Sequence, residues 1–121
     1  MSASPSSPAP SAYELLRRQC SLRLPASLDE HTGPVAGTVD LPLHVAWSGR
    51  RTYGLGQPRS RMSLYRTVLA EGQSQDLIAL LNRDLLVAQW PVLRTLISRP
   101  LREAWEDRFP ELPTDRAATA A

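Results

Sequence analysis

At 121 residues the chain has room for one domain, and none of its apolar runs approaches the roughly 20 residues needed to span a bilayer. Its single cysteine, Cys20, excludes an internal disulfide, and a formal net charge of +2 is too small to argue for nucleic acid. All fourteen basic residues are arginine, so each cation carries a planar fork suited to carboxylate or phosphate.

Residues 1–12 (MSASPSSPAPSA) have nothing to bury and read as a disordered tail. They show neither a basic start nor an apolar stretch, so no signal peptide and a cytoplasmic location are expected. Residues 13–57 read as an N-terminal helix and a strand-bearing arm. Tyr13–Cys20 forms two helical turns, Pro25 stops their continuation, and Leu22, Leu24, Ala26 and Leu28 then alternate toward one side. Val39 to Ser48 alternates throughout, with Val39, Leu41, Leu43, Val45 and Trp47 on one face: the pattern of a half-buried strand. Pro42 lacks a ladder donor and places that strand at an edge. Ser48-Gly49 offers a turn, and Arg51–Leu55 folds back. Such a hairpin must rest on helices, pair with residues 21–28, or pair with another chain.

From residue 58 to 112 the period is helical. Met62, Tyr65, Val68 and Leu69 share one face of a helix that starts near Pro58 and stops at Gly72. Ser74 is expected to cap Gln75–Leu81, and Asp84 a short helix through Trp90. Pro91 is expected to force a restart, followed by an apolar face of Val92, Leu93, Leu96 and Ile97. Pro100 opens a last helix bearing Leu101, Ala104, Trp105 and Phe109, ended by Pro110, and residues 113–121 read as a flexible tail. The expected fold is mainly α: a compact cluster of four or five short helices with a small β-hairpin arm (α+β).

No catalytic residue, metal site or cofactor is assigned. One Cys and two separated histidines do not make a metal set. Cys20 is accounted for as a small apolar filler at a helix end, although Arg17 and Arg18 could favour its thiolate. The glycines of Tyr53-Gly54-Leu55-Gly56 lack the lysine or third glycine of a phosphate loop. Trp47, Trp90 and Trp105 are first core residues, and Trp is also a favoured interface anchor. Charge placement says more. Leu41–Ala70 holds Arg50, Arg51, Arg59, Arg61 and Arg66 and no acid, whereas Leu101–Asp115 is rich in acids. Arg59 and Arg61 fall in a first helical turn, where cations oppose the dipole. With Trp47 and His44 on the strand, these arginines are the candidate partner-binding residues.

The strings LHVAWSGRRTYGL, RMSLYRTVLAEG, LIALLNRDLLVAQWPVLR and RPLREAWEDRFPEL resemble small actinobacterial proteins encoded beside abortive-infection-type nucleotidyltransferase toxins. Some of that group carry antitoxin or transcriptional-regulator labels. The resemblance implies a non-enzymatic, antitoxin-like module whose partner is a nucleotidyltransferase. The alternative is a DNA-binding transcriptional autoregulator using the same arginines. Segment 63–83 can be cut as helix–turn–helix, but its second helix, QDLIALL, has no Arg and belongs in a core. Membrane attachment is not expected, and the sequence leaves the oligomeric state open.

Overall fold

A computed structural model describes residues 11–45 and 51–113. It contains five helices and a two-stranded sheet: α1 (Ala12–Arg23), a 3-10 turn (Leu28–Glu30), β1 (Thr38–Asp40), β2 (Thr52–Gly54), α2 (Pro58–Glu71), α3 (Ser74–Leu80), α4 (Arg83–Leu93) and α5 (Arg99–Arg108). The mainly α, α+β class read from the sequence is the class observed. No helix among the described residues is long and apolar enough to cross a membrane.

Helix α1 begins earlier than its apolar pattern. Ser11 and Ala12, expected in the tail, are its N-cap and first residue, and Ser11 and Glu14 form a reciprocal capping box. The helix also runs on to Arg23, so the alternation of residues 21–28 builds no strand. Leu24 and Leu28 are buried, whereas Leu22 is 83% exposed. None of the α1 residues is fully buried, and polar links hold the helix along α5. Arg17 pairs with Asp107, the Arg99 guanidinium carbon lies 5.4 Å from the centre of the Tyr13 ring, and Arg23 donates to the Gly72 carbonyl at 2.7 Å.

Strands β1 and β2 pair antiparallel with Val39 opposite Tyr53. Of the strand expected over 39–48, the described residues up to Val45 form strand only as far as Asp40, in β1, and residues 46–48 lie outside the described residues. Pro42 accepts from the Val45 N–H at 3.0 Å, so the chain turns instead of extending. Val39, Leu41 and Val45 are still buried, but the turn throws Leu43 outward to 63% exposure. The expected Ser48-Gly49 turn, Arg50 and Trp47 lie outside the described residues. The hairpin rests on α2: the Ser60 hydroxyl accepts from the Gly54 N–H at 2.9 Å.

Pro58 occupies the first turn of α2 and Gly72 caps its end, as the spacing predicts. A side chain at Gly72 would meet the Val68 carbonyl at 2.7 Å, so close approach makes glycine necessary there. The cap of α3 is Gln73, one residue before Ser74, because Asp76 then sits at the third position and accepts from the Gln73 N–H at 2.9 Å. The cap of α4 is Asn82, two residues before Asp84. Its side-chain oxygen accepts from the Asp84 and Leu85 N–H groups. Pro91 lies inside α4 and forces no restart. It falls in the last turn, so the helix runs only two residues beyond it, to Leu93, before residues 94–97 turn; Val92 at the helix end and Leu96 in the turn are exposed. Helix α5 carries Leu101, Ala104 and Trp105 inward.

One buried cluster spans the described fold from Leu24 to Leu112. Trp90 and Trp105 lie at its centre with ring centroids 6.2 Å apart, which is the core role expected of them. Gly33 marks the tightest approach: a Cβ there would sit 2.5 Å from the Leu80 carbonyl carbon. That proximity lets the Gly33 N–H donate to the Leu81 carbonyl at 2.8 Å and lock the 31–33 segment onto the α3–α4 junction.

Candidate functional site

The acid-free section of the sequence becomes one side of the hairpin and the outer stripe of α2. Arg51 lies exposed just before β2, and its Nε donates to the Leu41 carbonyl across the hairpin at 3.3 Å. Arg61 reaches back from α2, where its Nη1 donates to the Leu55 carbonyl at 3.0 Å. Its Nε is buried without a partner. Arg59 and Arg66 are exposed and make no ion pair with any described residue. The carboxylates of the described fold therefore leave all four guanidiniums unneutralised.

Elsewhere the described arginines divide: Arg18 has no ion pair with any described residue, Arg23, Arg102 and Arg108 donate to backbone carbonyls, and four others meet acids. Arg17 holds Asp107, Arg83 lies 2.9 Å from Asp29, Arg94 binds Glu106 at 2.6 Å and Arg99 binds Glu103 at 2.9 Å. Glu106 is the hub of the best-enclosed group: it also accepts from the Trp90 indole N–H at 2.9 Å. The sequence reading did not find it, although Trp90 and Arg94 at four-residue spacing opposite an acid on the next helix were a usable signal.

Arg59, Met62, Ser63 and Arg66 fall at helical spacing on one stripe of α2. With Leu96 from the turn after α4 they line an open groove of about 250 Å³. At a rise of 1.5 Å per residue the two arginines stand about 10 Å apart along the helix axis. No acid falls in the first turn of α2 and no side chain caps it, so Arg59 faces the positive end of the dipole uncompensated.

His44 is not merely solvated, as a position on the polar face of a long strand would imply. Its Nε2 lies 2.8 Å from Oδ2 of Asp76, whose side chain is only 8% exposed. The 43–45 turn brings the imidazole onto the start of α3, a contact no extended strand could make. That partnership ties His44 to the fold instead of leaving it free. Asp76 itself was missed, because an acid in a first helical turn reads as ordinary dipole compensation.

The hairpin leaves one edge open. The Leu41 N–H donates to the Arg51 carbonyl and the Leu55 N–H to the Gly37 carbonyl, so odd-numbered residues of this stretch face the partner strand. Thr38 and Asp40, both exposed, direct their backbone groups to the other side, where no described residue meets them. On β2 the corresponding outward Gly54 N–H is taken by Ser60.

Helix α3 has seven residues, with Asp76 and Leu77 buried and no arginine, so it is a core element rather than a reading helix. Cys20 sits half-buried within α1, its sulfur 3.9 Å from Arg23 Nη2. Among the described residues no three His, Cys, Asp or Glu side chains converge as a metal-ligand group. Arg51 thus lies on the hairpin and Arg59, Arg61 and Arg66 on the helix against which the hairpin packs, with the open strand edge on the same hairpin. Each guanidinium is a planar donor whose geometry suits a carboxylate or a phosphate. Set against known protein families, curated proteins and solved structures, the chain finds no match.

Proposed function

We propose that the protein is a non-enzymatic binding module that docks a protein partner through Arg51, Arg59, Arg61, Arg66 and the outer edge of β1. Arg50 and Trp47 belong to the same stretch of sequence. One observation carries the reading: in this section no described guanidinium meets a carboxylate and the sequence from Leu41 to Ala70 holds no acid, whereas Arg17, Arg83, Arg94 and Arg99, half of the described arginines elsewhere, each have an acidic partner. Unpaired arginine on a folded surface is the group most often used for bidentate capture of acids. An open strand edge adds main-chain pairing to that capture.

The string resemblance makes the partner a nucleotidyltransferase toxin, with this chain acting as its antitoxin by covering the active-site surroundings. A nucleotidyltransferase holds metal-binding carboxylates, and those are acceptors for arginine. The test is co-expression with the product of the neighbouring gene followed by size-exclusion chromatography. The reading expects one co-eluting peak, with arginine-to-glutamate changes at Arg51 and Arg61 shifting the proteins into two. Two separate peaks for the wild-type pair would defeat it.

A further inference from the structure

The groove beside α2 has a more specific complement than negative charge. Its two arginines stand one helical stripe apart, seven residues and about 10 Å, with Met62, Ser63 and Leu96 between and across from them. A ligand filling it must present two anions at that separation and apolar surface in the middle. An α-helix with acids at positions i and i+7 and leucine-like residues at i+3 and i+4 meets both conditions on one face. Nucleic acid offers closely repeated phosphates joined by oxygen-rich sugars, with no leucine-like side chain between them.

A second copy of this chain is a poor source of such a segment. Its α5 acids are engaged internally: Glu103 by Arg99, Glu106 by Arg94 and Trp90, and Asp107 by Arg17. We propose that the groove lined by Arg59, Met62, Ser63, Arg66 and Leu96 is the docking site for an acidic amphipathic helix of another protein. Charge complementarity selects the occupant, the apolar floor sets its register, and Leu96, half-exposed in the turn after α4, closes one wall. This rests on the protein-binding reading above and gives the partner's recognition element a chemistry.

The probe is a fluorescein-labelled, hydrocarbon-stapled Ala/Gln peptide carrying that Glu/Leu pattern, measured by fluorescence polarisation against the full chain. Replacing both glutamates by glutamine is expected to weaken binding about tenfold, each ion pair at a partly exposed site counting roughly threefold. The double variant R59E/R66E is expected to lose as much, and L96S about threefold. The proposal is overturned if the Glu and Gln peptides bind alike, if a leucine-free peptide with the same glutamates binds as well, or if the Glu/Leu peptide shows no binding at millimolar concentration. Displacement by an oligo-dT strand of equal charge at lower concentration would likewise overturn it, assigning the groove to nucleic acid. Running R59E/R66E in the co-expression assay separates the two ideas. A complex that survives this change but is lost with R51E would keep the protein-binding reading and remove the groove from it. No complex with wild type removes the reading, and the peptide titration then stands alone.

Discussion

At the scale of single residues, the buried polar groups show which parts of the fold tolerate no change of protonation or partner. His31 is 2% exposed, tilted against Trp105 at a centroid distance of 5.5 Å and edge-on to Phe109 at 6.0 Å. Its Nδ1 donates to the Leu28 carbonyl at 2.9 Å, which leaves Nε2 without a proton and without a partner among aromatic carbons. Burial lowers its pKa from the ordinary 6.5, while the Leu28 carbonyl and the Glu30 charge pull it back up. The unfolded chain therefore binds the proton first as the solution is acidified. The stability owed to neutral His31 is complete above pH 6.5 and drains away as pH falls from there toward the lower folded-state pKa. Melting curves between neutral pH and pH 5 should show a steeper loss for wild type than for H31F, which keeps a ring against Trp105 but cannot be protonated. Parallel curves for the two would contradict a buried neutral imidazole. Tyr65, fully buried with its hydroxyl accepting from the Asn82 N–H at 2.9 Å, is raised by burial in the same way but titrates beyond this range.

At the scale of elements, helices were legible and strand length was not. The apolar spacing of residues 58–71, 74–81 and 100–109 reports burial that the folded chain also uses, because a helix repeats its contact face over several turns. The 39–48 alternation carried the correct burial at Val39, Leu41 and Val45, yet a turn with two buried residues four apart produces the same letters as a strand. The Arg stripe was legible as charge but not as a groove, since Leu96 reaches it from a segment misread as helix. On the proposed reading, helix α2 gives up some stability to keep a binding arginine. Arg59 sits at its second position, with no first-turn acid and no side-chain cap, so its charge opposes the helix dipole. Replacing it by glutamate should stabilise the isolated fold by about 0.3–1 kcal/mol and raise the melting temperature by a few degrees, while partner binding falls. Calorimetry on R59E reads this directly. A lowered melting temperature would mean that Arg59 serves the fold and not a surface interaction.

At the scale of the whole molecule, the question is whether the helical section from residue 58 onward could stand without the hairpin section before it. Of the 21 buried apolar side chains among the described residues, seven precede α2, including the fully enclosed Leu28 and Leu41. Burying a leucine-sized side chain contributes roughly 1.5–3 kcal/mol, so removing seven costs on the order of 10 kcal/mol or more. That is comparable to the entire net stability of a small domain, about 5–15 kcal/mol. Backbone links compound the loss: the Thr32 N–H donates to Ile78, Gly33 to Leu81, and Arg83 to the His31 carbonyl. Each cut would leave a polar group of the α3–α4 junction unpaired, and the aromatic cluster would lose the imidazole stacked on Trp105. A fragment of residues 58–113 should accordingly show no cooperative melt by circular dichroism, whereas the full chain should unfold in one transition seen alike by far-ultraviolet signal and tryptophan fluorescence. A fragment that melted cooperatively on its own would mean that the hairpin section is an appendage, and a basic surface held by an appendage would be free to move relative to the α2 groove. With one shared core it is not: the hairpin that carries Arg51 and the α2 helix that carries Arg59 and Arg66 are fixed by the same buried side chains, so on the proposed reading a partner would meet arginines already held in place.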